Sequence, residues 1–156
     1  MTDGLYDKVR NAFSQAAVFT FEKMTMVSLV PREQVGPDTA VYDLSGVIGF
    51  TGDIVGNCAL RVSAKTAQEA INRLAGEAVE SPSEIADGMG ELVNMIAGNA
   101  KASLTDFSVS LAFPDVIRGK GHEIGFHRHP ALIQIYFSSE IGDLTLIVAF
   151  SEPKQK

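Results

Sequence analysis

Apolar residues near the start of the chain fall at Leu5, Val9, Phe13, Ala16, Ala17, Phe21 and Met24, the three-and-four spacing of one helix face. This predicts a helix over residues 4–24. "TMVSLVP" then reads as extended, and "VGPD" as a turn. The pattern changes in "TAVYDLSGVIGF", residues 39–50, whose β-branched and aromatic content favours a strand. "TGDIVG" turns the chain and "GNCALRVS" returns it, the order of an antiparallel hairpin. "AKTAQEAINRLAG" predicts a short helix with Gly76 as its stop. A longer helix opens at "SPSE", where Ser81 caps, Pro82 suits the first helical position and Glu84 completes a capping box. It should run to about Leu104. Four strand candidates follow, "SVSLAFP", "PDVIRG", "ALIQIYFSSE" and "GDLTLIVAF", the last two forming a hairpin. Grouped helices and antiparallel pairs predict an α+β fold, a mostly antiparallel sheet with helices packed on one face. The whole chain, 1–156, is expected to be one domain, with "EPKQK" a loose tail.

The long helix breaks a rule. Gly88, Gly90 and Gly98 sit inside it, and each costs about 1 kcal/mol relative to alanine in a helix interior. A helix turns about 100° per residue. Met89, Leu92, Val93, Ile96, Ala100 and Leu104 then form one apolar stripe facing the core. Asp87, Glu91 and Asn94 gather on the opposite side, spaced four and three apart, so their side chains are neighbours. Gly90, Gly98 and Ala102 flank them, which predicts a shaved face open to close approach by another surface. Gly88 lies off that face, so this account leaves it unexplained. A bare Glu-x-x-Asn is common on solvated helix faces, so spacing alone leaves a site and an ordinary surface both open.

Composition narrows the class. The chain is 46% hydrophobic and 21% charged, with a net charge of −6. An acidic balance argues against nucleic acid and anionic membranes as partners. No apolar run approaches the ~20 residues of a membrane span, and "MTDGLYDKVRNAF" lacks the order of a signal peptide. Cys58 is the single cysteine and cannot form an internal disulfide. A cytoplasmic location is expected.

The three histidines, His122, His127 and His129, crowd into "GKGHEIGFHRH". Imidazole is a common metal ligand, but no Cys lies near and Glu123 is the only obvious carboxylate. A solvated loop is expected and a metal site is the minority reading. "GKGH" lacks the spacing of a phosphate-binding P-loop.

"DGMGELVNMIAGNAKASL" resembles the signature of the CheC/CheX/FliY family of chemotaxis phosphatases, and its CheX branch most closely. The mark is an acidic or Ser residue, three residues, Glu, two residues, then Asn: here Asp87, Glu91 and Asn94. Upstream "LSGVIGFTGDIVGNCALRVSAKTAQEAINRLAG" and downstream "FPDVIRGKGH" extend the resemblance over about residues 40–125. Two-site members carry a second Glu-x-x-Asn on the first helix; here Glu22 is followed three later by Thr25, as in a one-site protein.

The resemblance implies dephosphorylation of a phosphorylated CheY-type receiver domain. It assigns Asn94 to positioning the attacking water and Glu91 to pairing with the receiver's active-site Lys. Asp87, Gly90 and Gly98 would belong to the docking face. The chain itself would bind no cofactor, Mg2+ being supplied by the receiver. A homodimer is also implied, for which "ALIQIYF" and "LTLIVAF" could offer strand edges, unless they form a plain buried hairpin. The competing reading is a non-catalytic module that docks on a signalling or flagellar-switch protein.

Overall fold

The computed structural model describes residues 4–126 and 129–153. Helix α1 spans Leu5–Thr25, α2 Ala64–Ala75 and α3 Pro82–Ser103. The strands are β1 (Val30–Arg32), β2 (Leu44–Gly52), β3 (Val55–Val62), β4 (Val109–Leu111), β5 (Asp115–Arg118), β6 (Ala131–Ser138) and β7 (Leu144–Ser151). They form one antiparallel sheet in the order β1-β6-β7-β3-β2, and β4 and β5 both pair with the far edge of β2. The expected α+β architecture is what the chain adopts.

Local chemistry sets the element ends. Ser63 caps α2 by accepting the Thr66 N–H, and Gly76 closes it in the left-handed region at φ 73°. The Ser81 side chain accepts the Glu84 N–H at the start of α3, with Pro82 in the first turn. Both helices therefore begin and end where turn chemistry satisfies their free backbone groups. β2 starts at Leu44, later than residue 39 where extended pattern begins. Tyr42 leaves the strand direction to meet Asp38 and Thr145, and the Asp43 carboxylate takes the Ala64 N–H.

The three helices pack on the sheet face formed by Leu44, Gly46, Ile48 and Phe50 of β2 and their neighbours. α1 and α3 lie side by side, and the Asn99 amide donates to Thr20 Oγ1. The apolar stripe of α3 sinks into this core: Met89, Leu92, Val93, Ile96, Ala100 and Leu104 are all buried. Beyond β5, His122 reaches the opposite face of the sheet. There Ser45 Oγ meets His122 Nε2 at 2.7 Å, and Arg61 donates to the His122 carbonyl.

One expectation is corrected. "ALIQIYF" and "LTLIVAF" become β6 and β7, and neither is an edge: β1 covers β6, and β7 lies between β6 and β3. A strand apolar at successive positions is one buried on both faces, and residues 144–150 of β7 are buried throughout. The sheet's edges are β1 on one side and β4 with β5 on the other.

Candidate functional site

Residues 88–90 are where α3 is gripped. An ideal Cβ on Gly88 would lie 2.6 Å from Ile71 Cδ1 of α2. One residue on, the Met89 carbonyl oxygen would lie 2.9 Å from a Cβ on Gly46 of β2. One further, a Cβ on Gly90 would lie 3.4 Å from Val116 Cγ2, with Pro114 Cγ at 3.8 Å. Helix, sheet and the β4–β5 segment thus close on consecutive residues of one helical turn. Missing side chains let each neighbour approach the helix backbone.

This changes the reading of the glycines. Gly88, which the shaved-face account left out, is the contact point of two helices. Gly90, expected on the open face, is buried beneath Pro114 and Val116. Only Gly98 behaves as anticipated: nothing lies within 4 Å of a Cβ built there.

Asp87, Glu91 and Asn94 are exposed on the solvent side of this gripped helix. Among the described residues none of the three forms a hydrogen bond or ion pair. Glu91 and Asn94, three apart, stand about 5–6 Å apart at their Cβ atoms by helix geometry. Asn94 has Gly90 one turn before it and Gly98 one turn after. Its amide therefore stands between the ridge made by Pro114 and the bare backbone at Gly98. The arrangement presents one carboxylate acceptor and one neutral amide, donor and acceptor together, on a rigid support.

The sequence singled out Pro114 only as part of a matching segment; its packing over Gly90 is a feature of the tertiary structure. The histidines do not join this site. His122 is engaged through both ring nitrogens, with Ser45 Oγ and the Gly119 carbonyl, and His129 Nδ1 meets Ser151 Oγ. His127 lies outside the described residues. Among the described residues no group of three His, Cys, Asp or Glu side chains could hold a metal ion. Cys58 is fully buried in the core, and burial pushes its thiol pKa well up. No described helix is long and apolar enough to cross a membrane.

Comparison with known proteins bears on the family and the fold. A search of curated proteins finds no match. Solved structures do match. A CheC-like superfamily protein from Shewanella sp. PV-4 is 30% identical, with 97% of this chain and 99% of that one covered and a TM-score of 0.82. The chemotaxis protein CheX from Vibrio vulnificus is 29% identical, with 92% and 96% covered and a TM-score of 0.82. A CheX–CheY–BeF3–Mg2+ complex from Borrelia burgdorferi shares the fold at 20% identity, with 91% and 97% covered and a TM-score of 0.77. The family model described as chemotaxis phosphatase CheX matches residues 44–138, a span that runs from β2 through α3 to the end of β6. With more than half its length inside that match, the chain belongs to the CheX family of chemotaxis phosphatases.

Proposed function

We propose that the protein accelerates hydrolysis of the aspartyl phosphate on a CheY-type receiver domain, and that Asn94 positions the water. The observation that carries this is the pairing of Glu91 and Asn94, exposed and without internal partners, on a helix held rigid at residues 88–90. The Borrelia burgdorferi complex, in which a CheX is bound to CheY with BeF3 and Mg2+, supports a receiver as the partner class.

The chemistry asks little of the protein. In a phosphorylated receiver, Mg2+ and an active-site Lys neutralise the phosphoryl oxygens. Hydrolysis then needs a water in line with the scissile bond. Its oxygen attacks phosphorus, the bond to the Asp oxygen breaks, and a carboxylate and inorganic phosphate result. In GTPases a side-chain amide orients such a water. Asn94 can do the same, its Oδ1 accepting a hydrogen bond from the water while the side chain stays neutral. Glu91, one turn away, pairs with the receiver's Lys and sets the depth of insertion. Asp87 and Gly98 belong to the docking face. No covalent intermediate on this chain is required, and this chain binds no cofactor of its own. We further propose that it works in the cytoplasm, as one domain and as a homodimer, for which the β1 and β4/β5 edges are the available strands.

The test is the decay of phosphorylated CheY-type receivers in Mg2+, with and without this protein and its Asn94→Ala variant. Faster decay that depends on Asn94 supports the proposal. Binding without faster decay would make the helix a docking surface.

A further inference from the structure

The turn between β4 and β5 is Ala112, Phe113 and Pro114, following Leu111, which ends β4 and packs against the core. Ala112 is exposed, and Phe113 is 93% exposed, more than any other large apolar side chain described. Scattered exposed apolar residues are ordinary; a phenylalanine this exposed beside the candidate site is a ready contact for another protein, because aromatic residues are enriched in interfaces.

The segment is not a loose loop. β4 pairs with β2 at Phe50–Gly52, and β5 pairs with β2 at Leu44–Val47. Between them the Ala112 N–H donates to the Gly49 carbonyl at 2.9 Å. Immediately after Phe113, Pro114 and Val116 pack over Gly90, one helical turn before Asn94. The backbone at Phe113 is therefore fixed on both sides, beside the helical turn that precedes Asn94. On a fixed backbone an aromatic side chain has only two torsions to settle on binding, and aromatic residues dominate the buried centres of protein interfaces.

From this we infer that Phe113 is an apolar anchor for the phosphorylated receiver, docking on its surface beside the phosphorylation pocket. The inference rests on the reading of the site given above and adds to it a division of labour. Asn94 acts on the bound phosphoryl group; Phe113 acts on affinity. Gly90 connects them, because the close packing of Pro114 on the helix there fixes the distance between anchor and amide.

The experiment compares Phe113→Ala, Phe113→Leu and Val35→Ala with the unmodified protein. Val35, 89% exposed, follows β1 at the other edge of the sheet and controls for general surface stickiness. Affinity is measured for a CheY-type receiver activated with beryllofluoride and Mg2+, and KM and kcat for the phosphorylated receiver. Phe113→Ala is expected to weaken binding and raise KM roughly tenfold, the effect of losing an interface anchor, with kcat and thermal stability unchanged. Phe113→Leu recovers most of the affinity and Val35→Ala changes nothing. Unchanged affinity in Phe113→Ala, or an equal loss in Val35→Ala, overturns the anchor while leaving the role of Asn94 intact. If the unmodified protein neither binds a receiver nor speeds its decay, the reading of the site fails and the anchor falls with it.

Discussion

Gly88 of α3 lies directly against Ile71 of α2, so that a single methyl group at position 88 would lie 2.6 Å from Ile71 Cδ1 and 3.0 Å from its Cγ1. Ile71 is itself buried and cannot swing into solvent. Gly88→Ala should therefore destabilise the protein by roughly 1–3 kcal/mol, the range for overpacking a filled core, although alanine is the better helix former. Urea unfolding measures this directly. A midpoint equal to or above that of the unmodified protein would mean that α2 and α3 separate easily.

Gly98 predicts the opposite sign. With nothing within 4 Å of its Cβ position, Gly98→Ala should raise stability by up to about 1 kcal/mol through helix propensity alone. If the bare backbone beside Asn94 is clearance for a receiver, the same variant should bind the receiver less well. Stability and affinity measured on one preparation separate the two effects. A stabilised variant with undiminished affinity would remove Gly98 from the docking face.

These glycines also show what a sequence discloses. Periodicity placed all three helices and the buried stripe from Met89 to Leu104, because the 3.6-residue repeat is local information. Cap residues Ser81 and Gly76 marked helix ends for the same reason, while Ser63, the cap of α2, was passed over. The partners of the glycines were not legible. Gly88 and Gly90 look alike in the chain, yet one meets α2 and the other the segment after β4. Likewise β6 and β7 read as possible edges until β1, only Val30–Arg32, is seen to cover one of them. Long-range pairing decides such points, and no short window contains it. Helix spacing brings the candidate residues Glu91 and Asn94 together without help from the rest of the fold, but it was the match of the surrounding segment to the family signature that singled them out.

Glu91→Ala should act on affinity. The side chain is exposed and has no partner among the described residues, so folding should be untouched. Its loss leaves the receiver's Lys without a counter-charge in the complex, and such losses fall mainly on dissociation. KM for the phosphorylated receiver is expected to rise roughly tenfold or more, and the loss should shrink at high salt, where screening weakens the original pair. Unaltered KM would rule out the Lys pairing.

Tyr42 gives the protein an alkaline limit. Burial of the ring, then the hydrogen bond from its hydroxyl to Asp38 Oδ2, push its pKa from the ordinary 10.0 up to about 12. Burial pushes Tyr136 up as well. A raised folded pKa means the folded state holds the phenolic proton more tightly than the unfolded chain does. The stabilisation is thus complete below pH 10 and is lost as pH climbs from 10 towards 12. Unfolding midpoints measured across that window should fall, and Tyr42→Phe should flatten the fall while lowering stability at neutral pH through the lost contacts with Asp38 and Thr145. An unchanged slope in Tyr42→Phe would place the titrating group elsewhere.

Asn94→Ala is the decisive substitution for the chemistry. The side chain projects from the solvent face of α3, between buried Gly90 and open Gly98, so removing its amide creates no cavity, and alanine suits the helix better. Stability should hold or rise slightly. Receiver-assisted dephosphorylation should fall roughly 10²-fold or more, as when one positioned group is taken from an active site. Affinity for the beryllofluoride-activated receiver should stay close to that of the unmodified protein if, as proposed, the amide acts on the water and Glu91 on the docking. Asn94→Asp sharpens the test. It keeps the size but replaces a neutral amide with an anion facing a phosphoryl group, so it should be as inactive as alanine. Asn94→Gln keeps the chemistry and lengthens the reach by one methylene, and should retain a fraction of the rate. Equal activity in the Ala variant would mean that the water is ordered by the receiver alone, and that this helix contributes only its surface.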